Sequence, residues 1–348
     1  MLGDARTEHL TRWARHHRSR GDTVWVASAQ DGFEVDVPLR LPFGRGAVGY
    51  PLLVPVLRRI IDELKPDVVA AHYLPNYGLM AVLSGFRPHI LFAWGSDLLV
   101  LPNRGLLQRS RLRLVATRGQ AFLVDGQVLV EPLVRLGAPA ERVYVCPFGV
   151  DDDVMAAGAA PRTAHFKSPV IVSTRRHEPS YRLADLLEAV ARLDDGAHDV
   201  RLHMAGEGTD TSALQRRAEE LGITDRLEWP GHLCRSRYVA LLAGADIYVA
   251  TSPSDSTSVS LLEAMGSGLA VVVPDIPGNR EWVNDGRNGL LYPSGDVAAL
   301  HSALDSLLVH PERRRALGDR ARARIERDGR WSHTVRRADL LFGQLVNH

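Results

Sequence analysis

Two carboxylates eight positions apart, Asp255 and Glu263, are the residues of this chain best placed for chemistry. An apolar run at 245–251 predicts a buried strand before them, and the pattern at 261–265 predicts a helix. Asp255 is therefore expected in the loop after the strand, and Glu263 on the helix. Because carboxylates accept hydrogen bonds from vicinal hydroxyl groups, the pair suits a polyol ligand.

The helix that carries Glu263 is predicted to open at Ser258. Its first backbone N–H groups lack partners within the helix, and the helix dipole adds partial positive charge, so this N-terminus suits a phosphate group. Hydroxyl groups on carboxylates, together with a diphosphate on a helix N-terminus, describe a nucleotide sugar. The spacing therefore indicates a nucleotide-sugar site.

These residues resemble the signature of the retaining glycosyltransferases of family 4, of the group 1 type. That family has two Glu residues, separated by seven positions, before Ala-Met and an apolar strand; here Asp255 and Glu263 precede Ala264-Met265 and the run at 268–273. Further segments occur in the family's order: KPDVV at 65–69, AHY at 71–73, WGSD at 94–97, PFGVD at 147–151, AGEG at 205–208 and NGLL at 288–291. The resemblance covers nearly the whole chain. It implies the α/β GT-B fold, in which two Rossmann-like, doubly wound parallel-sheet domains face one another across a cleft.

The resemblance also implies the reaction, which is transfer of a sugar from a nucleoside diphosphate sugar to a hydroxyl group with retention at the anomeric carbon. The acceptor would be a glycan, a glycolipid or a small molecule, in polysaccharide or cell-envelope biosynthesis. GT-B enzymes generally work without a divalent ion, and the 14 histidines include no His-x-His or His-Glu-x-x-His pattern. We therefore expect no metal and no cofactor besides the donor substrate.

Length and composition agree with two domains. The chain has 348 residues, 45% of them hydrophobic and 24% charged, which is typical of a globular protein too long for one ordinary core. We predict an N-terminal acceptor-side domain over 1–150, a linker over 151–167, a nucleotide-sugar-binding domain over 168–330 and a last helix over 331–348 that crosses back to the first domain. Only three residues precede the region of the first predicted helix, so the first strand is expected to be truncated. Either the natural start lies upstream, or the protein tolerates a clipped strand.

Charge is distributed unevenly along the chain. Residues 1–150 carry 18 Lys and Arg against 13 Asp and Glu, whereas the remainder carries 24 against 28. No acidic residue lies between Asp97 and Asp125, and that interval contains five arginines: Arg104, Arg109, Arg111, Arg113 and Arg118. This run is either a solvated helix face or a contact with anionic lipid headgroups or a lipid-phosphate acceptor. It lacks interleaved aromatic residues, so no nucleic-acid partner is expected.

The chain has no run of about 18 apolar residues and no signal-peptide pattern. We therefore expect a cytoplasmic protein, with peripheral contact at the inner face of the membrane if the arginine run meets lipid.

The resemblance assigns the catalytic and donor-binding residues. Arg176 would bind the diphosphate, Glu263 the ribose hydroxyls, and Asp255 the sugar ring, although Asp255 is one methylene shorter than the family's usual Glu. Where the family commonly has Lys, this chain has Tyr181, and the neighbouring Arg182 is the candidate replacement. Further donor-binding positions are two glycines in a turn, one residue in the loop that meets the base, and backbone N–H groups at the helix start: Gly206, Gly208, Leu233, Thr257, Ser258 and Val259. The two glycines fit a simple turn equally well.

On the acceptor side, Trp94 stands where many relatives have His. Asp97 is then the preferred residue for binding the acceptor or the transferred sugar and completes the predicted catalytic set, with a structural helix cap as the alternative. His9 is a weaker candidate for the same site. His72 is interpreted as a packed histidine rather than a catalyst.

Two other functions fit the sequence. A nucleotide-sugar epimerase on the same fold would bind the same donor, but the Asp255 and Glu263 pair favours transfer. A non-catalytic partner protein that kept the fold and lost the chemistry would explain Tyr181, Trp94 and the shortened carboxylate at 255. The sequence does not predict the sugar, the base, the acceptor or the oligomeric state.

Overall fold

The structure is a computed structural model that describes residues 1–32, 34–41, 49–159, 168–193 and 199–346. The chain divides into two units, Met1–Phe148 with Thr334–His348, and Gly149–His333. Each unit alternates strands in a parallel sheet with helices, which confirms the predicted α/β class.

Unit 1 is built on short parallel strands. The strands are β1 Ala27–Ser28, β2 Val37–Pro38, β3 Val69–His72, β4 His89–Ala93, β5 Ala121–Val124 and β6 Val143–Val145. The α-helices are α1 Glu8–Ser19, α2 Gly49–Leu52, α3 Val54–Leu64, α4 Leu79–Ser84, α5 Ser96–Leu99, α6 Leu106–Arg118 and α7 Val130–Arg135. Strands β3 to β6 pair in that order, and β1 pairs with β2.

Residues 1–3 join these two groups of strands. Leu2 forms parallel bridges with Ala27 of β1 and with Ala71 of β3. The Leu2 N–H donates to the Ala70 carbonyl at 2.7 Å, and the His72 N–H donates to the Leu2 carbonyl at 2.7 Å. The position of the first strand, predicted to be truncated, is thus held by three residues, and a cavity of about 560 Å³ adjoins Met1.

Unit 2 contains a complete doubly wound sheet. Its strands are β7 Val170–Ser173, β8 Arg201–Ala205, β9 Leu227–Gly231, β10 Ile247–Val249, β11 Ala270–Pro274 and β12 Leu290–Tyr292. Its α-helices are α8 Asp152–Ala157, α9 Leu183–Ala191, α10 Thr211–Glu220, α11 Arg235–Gly244, α12 Val259–Gly266, α13 Pro277–Arg280, α14 Val297–Val309 and α15 Pro311–Asp328. The strand order β9-β8-β7-β10-β11-β12 is that of a Rossmann sheet.

The strands of unit 2 are apolar throughout because helices cover both faces of the sheet. In β11, Val272 contributes to the core cluster formed with α9 and α14, whereas Val271 and Val273 contribute to the cluster formed with α12 and α15. Successive side chains of a strand point to opposite faces, so a strand buried on both sides reads as a continuous hydrophobic run.

The predicted linker over 151–167 contains regular structure. Its first residues form α8, and the side chains of Val154 and Met155 are buried in the core of unit 2. The sequence analysis did not predict this helix, because a segment of six residues is too short to show a helical period. Residues 160–167 lie outside the described residues.

The last helix, α16 Trp331–Val346, belongs to unit 1 from Thr334 onward. Its Asp339 carboxylate lies 3.1 Å from the His16 ring of α1, and Thr334 donates to the Pro147 carbonyl at 2.6 Å. Among the helices of the described residues, none is long and apolar enough to cross a membrane.

We predict that Gly318→Ala destabilises unit 2. A Cβ at this position of α15 would lie 2.1 Å from the carbonyl oxygen of Gly268, so the helix and the loop before β11 would have to separate. Overpacking of this kind costs about 1–3 kcal/mol of unfolding free energy, which urea denaturation measures.

Gly343→Ala in α16 is the matched control, because nothing lies within 4 Å of a Cβ built there. Replacing an exposed helical Gly by Ala stabilises by up to about 1 kcal/mol. Equal effects of the two substitutions would contradict the close packing at Gly318.

Candidate functional site

The candidate site lies at the middle of the sheet of unit 2, where β7 pairs with β10. The strand order reverses at this pair, since β8 and β9 extend the sheet on one side and β11 and β12 on the other. The loops that follow two such strands run apart over opposite faces and leave a crevice at the carboxyl edge, which is where doubly wound sheets bind ligands.

Arg175, in the loop after β7, reaches across this crevice to the loop after β10. Its Nη2 lies 2.8 Å from Asp255 Oδ2, and its Nη1 donates to Ser258 Oγ at 2.6 Å. The guanidinium also lies over the ring of Tyr181, with its central carbon 4.3 Å from the ring centroid. Only 11% of the Arg175 side chain is exposed, so the two loops share a nearly buried cation.

The structure places the two adjacent arginines differently. Arg176 was expected to bind the diphosphate, but its side chain is 75% exposed and pairs with Glu178 at 3.2 Å. Of the two, Arg175 is the one that contacts the loop after β10, and its burial follows from that contact.

Arg182, the candidate replacement for the family lysine, precedes α9. It pairs with Asp185 of α9 at 2.8 Å, with 45% of its side chain exposed. Tyr181, at the lysine position, packs against the Arg175 guanidinium.

Helix α12 begins beside the Arg175 guanidinium, at the position that the sequence predicts. Ser258 is its N-cap, and the Ser258 hydroxyl accepts a hydrogen bond from the Leu261 N–H at 3.4 Å. The N–H groups of the first helical turn have no acceptor within the helix. Thr257 and Ser258 are buried and Val259 is half-buried, so the helix start forms part of the crevice wall beside Arg175.

Glu263, one turn further along α12, is held from two sides. Arg235 Nη1 donates to its Oε1 at 2.6 Å, and the Tyr238 hydroxyl donates to its Oε2 at 2.6 Å. Burial and the nearby Glu263 charge raise the pKa of Tyr238 well above its usual value, so the phenol stays a donor. A carboxylate has about four acceptor positions, and these two donors use two of those on Glu263.

Arg235 also binds the start of α8. Its Nε and Nη2 each donate to the Asp153 carboxylate at 2.8 Å, and Nη2 lies 3.3 Å from Asp151. Sequence reasoning missed both Arg235 and Tyr238. Their spacing of three on α11 places them on one face of that helix, and this was the signal available.

The two glycines predicted to approach a donor lie close to the loop after β7. A Cβ on Gly206 would lie 2.6 Å from the Arg175 carbonyl oxygen, and a Cβ on Gly208 would lie 2.2 Å from the His177 carbonyl oxygen. Both glycines therefore let the loop after β8 pack against the loop that carries Arg175. Leu233 is half-buried and follows β9, the edge strand two positions from the crevice.

Unit 1 has an aromatic cluster beyond the carboxyl end of β4. The ring of His9 stacks on Trp94 with centroids 4.6 Å apart, and Phe148 contacts the edge of His9 at 4.9 Å. Burial, with the nearby charge of Arg12, lowers the pKa of His9 to about 4, so its ring is neutral at pH 7. His72 is buried and stacks on Phe92 at 4.0 Å, as expected of a packed histidine.

Asp97 does not reach the surface of unit 1. Its side chain is fully buried, and it accepts hydrogen bonds from the backbone N–H of Trp94 at 3.0 Å and of Leu74 at 3.2 Å. The carboxylate thus connects two loops, and its predicted contact with the acceptor or the transferred sugar stays a prediction. Within the described residues, no group of three or more His, Cys, Asp or Glu side chains could hold a metal ion.

Comparison with known proteins finds glycosyltransferases. The sequence family described as "Glycosyl transferases group 1" matches residues 161–324, and the family "Glycosyl transferase 4-like" matches residues 1–125. The lipopolysaccharide core biosynthesis glycosyltransferase LpsE of Rhizobium meliloti is 28% identical over 244 residues, which are 67% of this chain and 69% of that protein. The MMP alpha-(1->4)-mannosyltransferase of Mycolicibacterium hassiacum is 30% identical over 300 residues, 86% of this chain and 66% of that protein.

A solved structure supports the fold. The crystal structure of Anabaena HepE in complex with UDP-glucose superposes with a TM-score of 0.79 at 18% identity, covering 99% of this chain and 98% of that one. This likeness shows the GT-B fold predicted above.

We predict that Asp97→Asn changes how stability depends on pH. Burial raises the pKa of Asp97 from 3.8 to about 6, against the hydrogen bonds from Leu74 and Trp94. A raised pKa means that this group's contribution is fully present below about pH 3.8 and is lost as the pH rises through about 6. The loss is of order 3 kcal/mol in the native protein and absent in the variant. Urea denaturation between pH 4 and 7 should show the unfolding free energy of the variant rising relative to that of the native protein as the pH increases. Parallel plots of unfolding free energy against pH would contradict the assignment.

Proposed function

The chain belongs to the group 1 glycosyltransferases, and from this we propose that it transfers a sugar from a nucleoside diphosphate sugar to a hydroxyl group with retention of anomeric configuration. The observation that carries the proposal is the meeting of Arg175, Asp255 and the N-terminus of α12, the helix that also carries Glu263. The UDP-glucose complex of the structural neighbour HepE supports the same class of donor.

The parts of the donor fit the parts of the crevice. A diphosphate suits Arg175 and the first N–H groups of α12, which supply positive charge at a helix N-terminus. Glu263, held by Arg235 and Tyr238, offers its remaining acceptor positions to the ribose hydroxyls. Asp255, which pairs with Arg175, offers its carboxylate to the hydroxyls of the sugar.

In the proposed reaction the bond between the anomeric carbon and the diphosphate oxygen breaks while the acceptor hydroxyl approaches from the same face. Arg175 and the helix N-terminus stabilise the charge that develops on the leaving diphosphate. A diphosphate oxygen takes the proton of the incoming hydroxyl. This course requires no nucleophilic side chain, and we propose that it requires no divalent ion because Arg175 and α12 provide the positive charge.

We propose that the protein binds its acceptor at an anionic membrane surface. The side chains of Leu106 and Leu107 at the start of α6 are 83% and 68% exposed. Four exposed arginines surround them in sequence, with no acidic residue between Asp97 and Asp125: Arg104, Arg109, Arg113 and Arg118. Apolar side chains beside basic ones fit the boundary between headgroups and acyl chains.

We predict that Arg175→Ala weakens binding of the cognate nucleoside diphosphate about tenfold or more, because a charge-assisted hydrogen bond contributes about 1.5–3 kcal/mol. Thermal unfolding with UDP, GDP and ADP identifies the base, since a ligand at 100 times its Kd adds about 2.7 kcal/mol of stability. Calorimetric titration then gives the affinities.

Arg176→Ala is the matched control and should leave the affinity within about threefold, since its exposed pair with Glu178 lies outside the crevice. Sugar transfer to an acceptor should continue in the presence of the chelator EDTA, because the proposed reaction requires no divalent ion. Equal loss in both arginine variants, or no binding of any of the three nucleotides, would contradict the proposed site.

We predict that replacing Leu106 and Leu107 together by Ser reduces sedimentation with vesicles containing anionic lipid, and that native binding falls at high salt. The control carries Ser at Val309 and Leu340, which are 52% and 70% exposed on other helices. Unchanged sedimentation of the first variant, or an equal effect in the control, would exclude this surface.

A further inference from the structure

The Arg175 and Asp255 pair occupies the place where an anionic ligand is expected. Arg175 connects Asp255 with Ser258, the N-cap of α12, so the Asp255 carboxylate is the anion paired with the guanidinium that also contacts the helix start. The Asp255 side chain is 22% exposed. A nearly buried guanidinium without a counter-ion would be strongly destabilising, and Asp255 prevents that in the ligand-free protein.

The hydrogen bonds of Arg175 show which part of the guanidinium is still available. Nη1 donates to Ser258 at 2.6 Å and to Ser260 at 3.3 Å, so this end is fixed by hydroxyl groups of α12. Nη2 contacts one oxygen of Asp255. Nε is buried and has no hydrogen-bond partner among the described residues.

An oxyanion prefers to bind a guanidinium through two parallel N–H groups, and the edge formed by Nε and Nη2 offers such a pair. At present that edge is only half used, because Asp255 engages Nη2 alone. A phosphate group with its own oxygens on both nitrogens would satisfy Nε and would take Nη2 from Asp255. The carboxylate would then be released beside the bound phosphate.

Resting on the proposed function, we propose that Asp255 is a counter-ion which the donor must displace. The diphosphate replaces Asp255 as the ion-pair partner of Arg175. The freed carboxylate then accepts hydrogen bonds from the hydroxyl groups of the sugar. Free nucleoside diphosphate displaces Asp255 without giving it a new partner, whereas the intact donor gives it one. Asp255 therefore makes the site prefer the nucleotide sugar over the nucleoside diphosphate product.

The short side chain at position 255 is central to this exchange. Asp255 and Ser258 are three residues apart in one loop, and both contact the same guanidinium. A carboxylate on a shorter stem has fewer positions to adopt, so it stays near Arg175 when the site is empty.

We predict that Asp255→Asn binds free nucleoside diphosphate about fivefold to tenfold more tightly than the native protein, because the competing charge is gone. The same variant should gain less affinity, or lose affinity, for the nucleoside diphosphate sugar, and its transfer rate should fall. The measurement is calorimetric titration of both ligands, using whichever of UDP, GDP and ADP stabilises the native protein. Asp255→Ser gives a second test if the Asn variant does not fold.

Two controls isolate the pair. Glu178→Gln removes a carboxylate from the same loop region and should change affinity by less than about twofold, because its partner Arg176 is exposed. In an Arg175→Ala background, Asp255→Asn should no longer increase affinity for the diphosphate, since a double-mutant cycle reports the coupling of the two residues.

The outcomes separate this inference from the proposed function. If the native protein binds a nucleoside diphosphate and Asp255→Asn binds it equally or more weakly, the displacement model is overturned while the donor site stands. A gain that persists without Arg175 also overturns it. If the native protein binds none of the three nucleotides, the proposed function fails and this inference fails with it.

Discussion

The parallel pairing of β7 with β10 is the constraint on which the candidate site depends. These strands are far apart in sequence, yet Ile171 lies opposite Ile247 and Val172 opposite Tyr248. The two loops that leave the pair diverge over opposite faces of the sheet, and only there can residues from both loops meet without a helix between them. Arg175 and Asp255 are the side chains that meet. The hydrophobic layers on both faces of the sheet keep this geometry in place. The positions of the charged side chains therefore depend on the packing of the core.

Charge balance in the crevice follows from the same arrangement. The N-terminus of α12 and Arg175 place positive charge at one point, which a protein without ligand must neutralise. Asp255 does so from the loop, at the cost of being partly desolvated. Further along α12, Glu263 is neutralised by Arg235, which also binds Asp153. Each carboxylate suited to hydroxyl groups thus has its own arginine, and neither is left as an isolated buried charge.

Sequence reasoning was effective where a pattern is local. The buried strand before Asp255 and the strand-to-helix junction between Asp255 and Glu263 follow from periodicity and composition over short windows, whereas the α/β fold was implied by the resemblance. The N-cap at Ser258 followed as well, because capping depends on residues within one helical turn. These features are determined mostly by neighbours in sequence, and the structure contains them where they were expected.

The placements that the sequence did not predict depend on long-range contacts. Adjacent Arg175 and Arg176 have identical chemistry, and only the approach of the β10 loop determines which of them is buried. Asp97 looked like a ligand-binding carboxylate, but its neighbours in space are main-chain N–H groups of two loops. Arg235 and Tyr238 carried no motif, because their role is to hold Glu263 rather than to contact a ligand. In this chain the identity of a site residue could be inferred from sequence only when its partners were also local; where the partner came from another loop, the register of a single residue decided between a buried cation and a solvated one.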